Sequence, residues 1–156
     1  MEQGTSRQRG RGSTNILFDL YFTAEDAKRF GIFERENLRR VIREAIKRVE
    51  MTWRSGFVDE GHGWEPGAMS VFESIQESHV RIETWPQDLH LQGEVQLCNY
   101  TKDNSKAAWA LLMAIVAELH PRKGSYLVVE RGPGRRIRVK RGGQFAWEDN
   151  RIFLSA

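Results

Sequence analysis

Residues 69–85, MSVFESIQESHVRIETW, decide the architecture that the sequence predicts. Residues 69–75 and 80–85 are rich in β-branched and aromatic side chains, a composition that is typical of β-strands. The polar pair Glu77-Ser78 lies between these two runs. The segment therefore predicts two strands of a sheet with a glutamate and a serine between them.

The apolar residues on either side of this segment predict further strands and two helices. Compact or alternating apolar runs predict strands over residues 16–22, 91–97, 126–129 and 137–139. Apolar residues at steps of three and four predict helices over residues 34–50 and from Asp103 or Asn104 to about Leu119. The glycines and the proline of residues 56–67 predict a loop. This order of elements favours an α+β fold, a two-layer sandwich in which two helices cover one face of a mostly antiparallel sheet.

Length and composition indicate one domain without a membrane span. The chain has 156 residues, of which 40% are hydrophobic, enough to form a core. Residues 1–14, rich in Gly, Ser, Thr and Arg, predict a disordered basic tail, and residues 15–156 predict a single domain. No run reaches the roughly 20 apolar residues that cross a bilayer, and no apolar export signal follows Met1. Together with a lone cysteine, Cys98, these features favour a protein of the cytoplasm.

The formal net charge of +3 is distributed unevenly. Arginines recur in the tail and crowd residues 131–141, where a basic patch can bind nucleic acid or another polyanion. A solvated tail and an exposed hairpin are the simpler explanation, and we favour it over nucleic-acid binding. A small anionic ligand held by the hairpin is a third interpretation.

Metal and nucleotide motifs are missing from the sequence. His62, His90 and His120 have no ligand spacing with Cys98, so we expect no metal site. The sequence contains neither a phosphate-binding loop nor a dinucleotide fingerprint.

The most distinctive motif is Glu77-Ser78-His79, followed by a short β run, by Thr84-Trp85-Pro86 and then by Cys98. This arrangement resembles the self-processing region of the prokaryotic S-adenosylmethionine decarboxylase proenzymes. In that family a cysteine follows Thr-Trp-Pro at the distance of Cys98, and a serine precedes the cleavage site at the position of Ser70. The likeness extends from the first strand to about residue 131.

The resemblance implies a chain that cuts its own backbone between Glu77 and Ser78, giving residues 1–77 and 78–156. Ser78 would become a pyruvoyl group, the cofactor that forms a Schiff base with the substrate amine and accepts electrons when carbon dioxide leaves. Ser70 would hydrogen-bond at the scissile carbonyl, and Cys98 would be the general acid that returns a proton to the substrate. The expected activity is S-adenosylmethionine decarboxylation for polyamine (spermidine) synthesis, by a homodimer or higher homo-oligomer.

Four further residues are candidates for substrate binding. Trp64 and Trp85 either stack on a flat ligand ring or fill the core. Asp19 stands where the family has a functional acid, although an exposed aspartate on a strand is an equal alternative. Gln87 stands where the family carries a glutamate that holds the ribose hydroxyls.

The sequence departs from the family pattern at several positions. Glu83 replaces a histidine that helps to remove the serine α-proton, and a partly desolvated carboxylate could act as base there. Gln87 cannot form the charge-assisted hydrogen bond of a carboxylate. The usual Thr-Cys-Gly is Leu97-Cys98-Asn99. Two alternatives therefore stay open: a pyruvoyl decarboxylase that acts on ornithine or arginine, and an unprocessed homologue that works as a binding protein.

Overall fold

The computed structural model describes residues 12–61, 65–100, 102–132, 137–149 and 151–156, and it forms an eight-stranded sheet with helices. The strands are β1 (Ser13–Tyr21), β2 (Trp53–Glu60), β3 (Met69–Ile75), β4 (Ser78–Trp85), β5 (His90–Cys98), β6 (Lys123–Arg131), β7 (Arg138–Glu148) and β8 (Arg151–Ser155). The helices are α1 (Ala24–Arg29), α2 (Arg35–Arg48) and α3 (Ser105–Leu119), with a 3₁₀ turn at Pro86–Asp88. The spatial order is β2-β3-β4-β5-β1-β6-β7-β8, and neighbouring strands run antiparallel.

Two layers follow from the pattern of burial. Strand β1 alternates between buried and more exposed side chains from Ile16 onward, and α2 and α3 contact each other and the buried side of the sheet. The helices bury apolar stripes at helical spacing, among them Leu38, Val41, Ile42, Leu111, Leu112 and Ile115. The predicted α+β two-layer sandwich is therefore confirmed.

The opposite side of the sheet carries no helix among the described residues, and we call it the open face. Its side chains come from the alternate positions of the central strands and include Leu17, Asp19, Arg81, Glu83, Gln92 and Glu94. Leu17 and Leu127 are paired neighbours on this face and remain 43% and 36% exposed. The open face is thus mixed in character, with charged groups beside uncovered apolar side chains.

A buried carboxylate ties the helix layer to the edge of the sheet. Glu73 on β3 is fully buried and accepts hydrogen bonds from Arg39 Nε at 2.8 Å and Arg43 Nε at 3.3 Å, both on α2. Trp53 Nε1 donates to the same carboxylate at 2.5 Å. Gly56, opposite Glu73, leaves the space that the carboxylate occupies, because a Cβ there would lie 2.0 Å from Glu73 Oε2.

Three boundaries differ from the sequence-based expectation. Residues 56–60, which were expected to begin the loop, belong to β2, because a mostly exposed edge strand has no clear apolar alternation by which to recognise it. Strand β1 begins at Ser13, where backbone pairing to β5 and β6 takes residues 13 and 14 out of the expected tail. The strand expected at 137–139 is the start of a longer hairpin of β7 and β8. No helix in the described part of the chain is long and apolar enough to cross a membrane.

Candidate active site

The predicted cleavage bond lies at the tight turn between β3 and β4. Ile75 pairs with Ser78, so that Gln76 and Glu77 form a two-residue connection and Ser78 is the first residue of β4. The Ser78 Oγ atom lies 3.2 Å from Nδ1 of His79, within reach of a proton transfer. One oxygen of the Glu77 side chain, Oε2, is buried without a hydrogen-bond partner among the described residues.

Cys98 lies directly beside this bond. It ends β5, the strand that pairs with β4, and its backbone N–H donates to the carbonyl oxygen of Glu77 at 2.9 Å. Its side chain is exposed and forms no disulfide. The peptide carbonyl that would be attacked is therefore already hydrogen-bonded to a preorganised donor, and a thiol is attached to the same residue.

Two asparagines, which the sequence did not single out as site residues, surround Cys98. Asn104 Nδ2 donates to the Cys98 carbonyl oxygen at 2.7 Å, and the backbone N–H of Asn104 donates to Asn99 Oδ1 at 2.8 Å. Asn99 in turn donates through Nδ2 to Thr14 Oγ1 at 3.1 Å, and its backbone N–H donates to Gly12 O at 2.7 Å. The sequence indicated these residues only indirectly: Asn99 stands in place of the family's glycine, and Asn104 was a candidate cap of the second predicted helix.

The start of α3 is capped by the neighbouring residue, Asp103. Its Oδ1 accepts the Ser105 backbone N–H at 2.8 Å, whereas Asn104 makes no side-chain cap. The hydrogen bond from the Ser105 backbone, followed by the one from its side chain, holds the pKa of the Asp103 carboxyl below its usual value. The side chain of Asn104 is thus free to bond to Cys98 instead.

Ser70 and Glu83 lie together but away from the cleavage bond. They face each other across the β3–β4 ladder and share a hydrogen bond, and Arg81 Nε lies 3.6 Å from Glu83 Oε1. Glu83 is five residue steps along the strand from Ser78, about 16 Å at the usual rise of a strand. Within one chain the structure therefore brings neither Ser70 to the Glu77 carbonyl nor Glu83 to Ser78.

Asp19 lies on the same open face as Ser70 and Glu83. A cavity of about 400 Å³ lies elsewhere, beside α3, but a smaller one of about 250 Å³ opens on the open face. The smaller cavity is lined by Leu17, Phe18, Asp19, Arg81, Glu83, Gln92, Gly93 and Glu94. Asp19 Oδ1 also lies 2.7 Å from Nε2 of His90, whose ring stacks on Tyr21 at 4.4 Å. The open face thus gathers Asp19, Glu83 and Glu94 around one cavity.

Trp85 is the last residue of β4, and Gln87 lies in the 3₁₀ turn that follows. Trp85 is 37% exposed and so does not fill the core of the single chain. Gln87 donates through Nε2 to Pro66 O at 3.1 Å and through its backbone N–H to Glu65 Oε1 at 2.9 Å. Trp64 lies outside the described residues. In the described part of the chain no three His, Cys, Asp or Glu side chains are grouped as metal ligands.

The fold and this site define a two-layer α+β protein that carries a serine at a hairpin turn and a thiol on the neighbouring strand. The family model of S-adenosylmethionine decarboxylase matches residues 15–132. The S-adenosylmethionine decarboxylase proenzyme of Aquifex aeolicus is 27% identical over 118 residues, which are 76% of this chain and 79% of that protein. The crystal structure of the adenosylmethionine decarboxylase from the same organism superposes with a TM-score of 0.61 at 25% identity, covering 82% of this chain and 96% of that one. This chain belongs to the S-adenosylmethionine decarboxylase family.

Proposed function

We propose that this chain is a self-cleaving, pyruvoyl-dependent S-adenosylmethionine decarboxylase that supplies polyamine (spermidine) synthesis. The observation that carries the proposal is the hydrogen bond from the Cys98 N–H to the Glu77 carbonyl, next to the Ser78 hydroxyl. Membership of the decarboxylase family supports the reaction class.

Self-cleavage begins when Ser78 Oγ attacks the Glu77 carbonyl carbon. The C–N bond breaks and an ester replaces the amide, while the Cys98 N–H stabilises the negative charge on the Glu77 oxygen. His79 Nδ1 can accept the hydroxyl proton of Ser78. Loss of the Ser78 α-proton then expels the Glu77 carboxylate, and water displaces the nitrogen as ammonia, which leaves a pyruvoyl group at the start of residues 78–156.

Decarboxylation then needs an electron sink and a proton. The pyruvoyl group derived from Ser78 would supply the electron sink for the decarboxylation of an amine substrate. The exposed thiol of Cys98, beside the new terminus, holds the proton that returns to the substrate carbon. Cys98 would thereby serve both stages, first through its backbone and then through its side chain.

The roles of Ser70 and Glu83 require a second copy of the chain. Both are about 16 Å along the ladder from the cleavage bond of their own chain, at the usual rise of a strand. The open face that carries them also leaves Leu17 and Leu127 uncovered, as expected of a surface that packs against another sheet. We therefore propose a homodimer in which Glu83 of one copy acts as the base at Ser78 of the other.

A second substrate class is favoured by Gln87. Its amide is engaged by Pro66 and cannot match the charge-assisted bond of a carboxylate to ribose hydroxyls. Ornithine and arginine have no ribose and are the alternative substrates. Trp85, with an exposed ring that can stack on adenine, supports S-adenosylmethionine as the first choice.

Denaturing mass spectrometry of the purified chain tests the proposal. We expect two fragments, residues 1–77 and a pyruvoyl-started 78–156, and a full-length mass for Ser78→Ala. A single unmodified full-length mass after long incubation would refute self-cleavage and leave the binding-protein interpretation. Release of labelled carbon dioxide from S-adenosylmethionine, ornithine and arginine, each offered separately, identifies the substrate.

A further inference from the structure

The buried amide of Asn104 is a group that the chemistry above leaves unused. Asn104 is only 3% exposed and stands immediately before α3. Its Oδ1 is buried without a hydrogen-bond partner among the described residues, and its side chain does not cap the helix. Burying a polar oxygen without a partner costs free energy, so the stability of α3 does not account for this side chain.

The donor half of the amide makes the relevant contact. Asn104 Nδ2 donates to the Cys98 carbonyl at 2.7 Å, while the Cys98 N–H donates to the Glu77 carbonyl at 2.9 Å. These two bonds hold the two peptide groups that flank the Cα atom of Cys98. Together they restrain the backbone dihedral angles of Cys98 and, with them, the direction of the Cα–Cβ bond that carries its thiol.

Asn99 secures the Asn104 backbone from the other side. Its Oδ1 accepts the Asn104 N–H at 2.8 Å, and its Nδ2 donates to Thr14 Oγ1 on β1 at 3.1 Å. The asparagine that replaces the family's glycine therefore links the start of α3 to the central strand of the sheet. Asn104 is held in place before it contacts Cys98.

We propose that Asn104 is a positioning residue for Cys98. By holding the Cys98 carbonyl, it keeps the Cys98 N–H on the scissile carbonyl during self-cleavage and directs the thiol toward the substrate afterwards. The inference rests on the proposed self-cleavage and adds to it a residue that never touches the reacting atoms.

Asn104→Asp is the sharpest test, because it keeps the shape and replaces the donor nitrogen with an oxygen that faces the Cys98 carbonyl. At pH 8 self-cleavage should slow by about 10-fold to 100-fold, the usual cost of a small misplacement. The deficit should narrow toward pH 5, since burial favours the neutral carboxylic acid, whose O–H can donate as the amide does. The unsubstituted chain, measured at each pH, corrects for the effect of pH on the other ionisable groups of the site, which are Glu77, His79, Glu83, Cys98 and Asp103.

Asn37→Asp is the matched control. Asn37 Nδ2 also donates to backbone carbonyls, those of Phe30 at 2.6 Å and Gly31 at 3.0 Å, far from the site. This control should cleave at the normal rate at every pH. Asn104→Ala should slow cleavage without any recovery at low pH, because it has no group to protonate.

Backbone hydrogen exchange at Cys98, measured in a Ser78→Ala background, tests the positioning without cleavage. Exchange should be faster with Asn104→Asp than in the parent and unchanged with Asn37→Asp. Three results would each overturn the inference: the same Cys98 exchange rate in Asn104→Asp as in the parent, cleavage of Asn104→Asp at the normal rate, or a cleavage deficit in Asn104→Asp that is constant from pH 5 to pH 8. If the unsubstituted chain never cleaves, the proposed function fails, and the exchange rates alone decide the role of Asn104.

Discussion

Replacing Cys98 by alanine should separate self-cleavage from decarboxylation. The substitution removes the thiol but leaves the backbone N–H, which is the group bonded to the Glu77 carbonyl at 2.9 Å. Because the donor to the developing oxyanion is retained, Cys98→Ala should cleave within about threefold of the normal rate. The alanine side chain also needs no rearrangement, since the cysteine side chain is exposed.

Turnover should fall much further. Loss of a positioned acid costs about 10²–10⁴ in rate, which corresponds to about 2.7–5.5 kcal/mol of activation free energy. The loss should appear in kcat more than in KM, because the proton is transferred in the transition state. Without the acid, protonation at the wrong atom should convert the pyruvoyl terminus to alanine and inactivate the protein.

Two measurements on the same preparation check this prediction. Denaturing mass spectrometry follows cleavage and the change of the terminus of residues 78–156, and labelled carbon dioxide follows turnover. Cys98→Ser, which keeps a weaker acid at the same place, is the control and should be intermediate in turnover. Full turnover by Cys98→Ala would refute the proton-donor role, and failure to cleave would show that the thiol, not the N–H, assists the first stage.

Three further predictions concern the base, the assembly and the sheet edge. Glu83→Gln should block cleavage because an amide cannot accept the α-proton, and Glu83→His should preserve it. Normal cleavage by Glu83→Gln would contradict the role. Light scattering should report a dimer, and a monomer at all concentrations would exclude action between copies. Refolding a mixture of Glu83→Gln and Ser78→Ala should restore partial cleavage, because the Ser78→Ala copy supplies Glu83 to the Ser78 of its partner. No restoration would also exclude action between copies. Gly56→Ala should lower the free energy of unfolding in urea by about 2 kcal/mol or more, because its Cβ displaces Glu73 from its buried ion pairs. Gly142→Ala is the control and should cost clearly less, because its Cβ meets only a flexible leucine methyl at 3.2 Å and a carbonyl oxygen at 3.2 Å.

Elements with an apolar periodicity were predictable from the sequence. Helix α2 lies within the predicted residues 34–50, and β3 has the predicted bounds, because each buries one regular face. The edge strand β2 could not be recognised, since its side chains are mostly exposed and its pairing depends on β3 alone. Local periodicity therefore identifies half-buried elements and misses those defined only by their neighbours.

The part of the candidate site that could be predicted from the sequence is the proximity of Ser78 and Cys98, because both belong to a short motif. Ser78 and Cys98 are 20 positions apart, and the ladder between β4 and β5 brings them together. The separation of Glu83 from Ser78 already follows from the predicted strand, since five steps at the usual rise span about 16 Å, whereas a motif that names both residues does not express this distance. Asn104 was missed for a related reason: its contact with Cys98 depends on how the chain turns into α3.

The place of β1 has a consequence for the processed protein. β1 belongs to residues 1–77, yet it pairs along its whole length with β5 and β6, which belong to residues 78–156. After the proposed cleavage the molecule would consist of two interleaved polypeptides, each incomplete without the other. Melting would then release two separate chains, so that the transition temperature should rise with protein concentration and refolding should become second order. The protein would thus fold once as a single chain, and the two fragments, once dissociated, would have to meet again by diffusion.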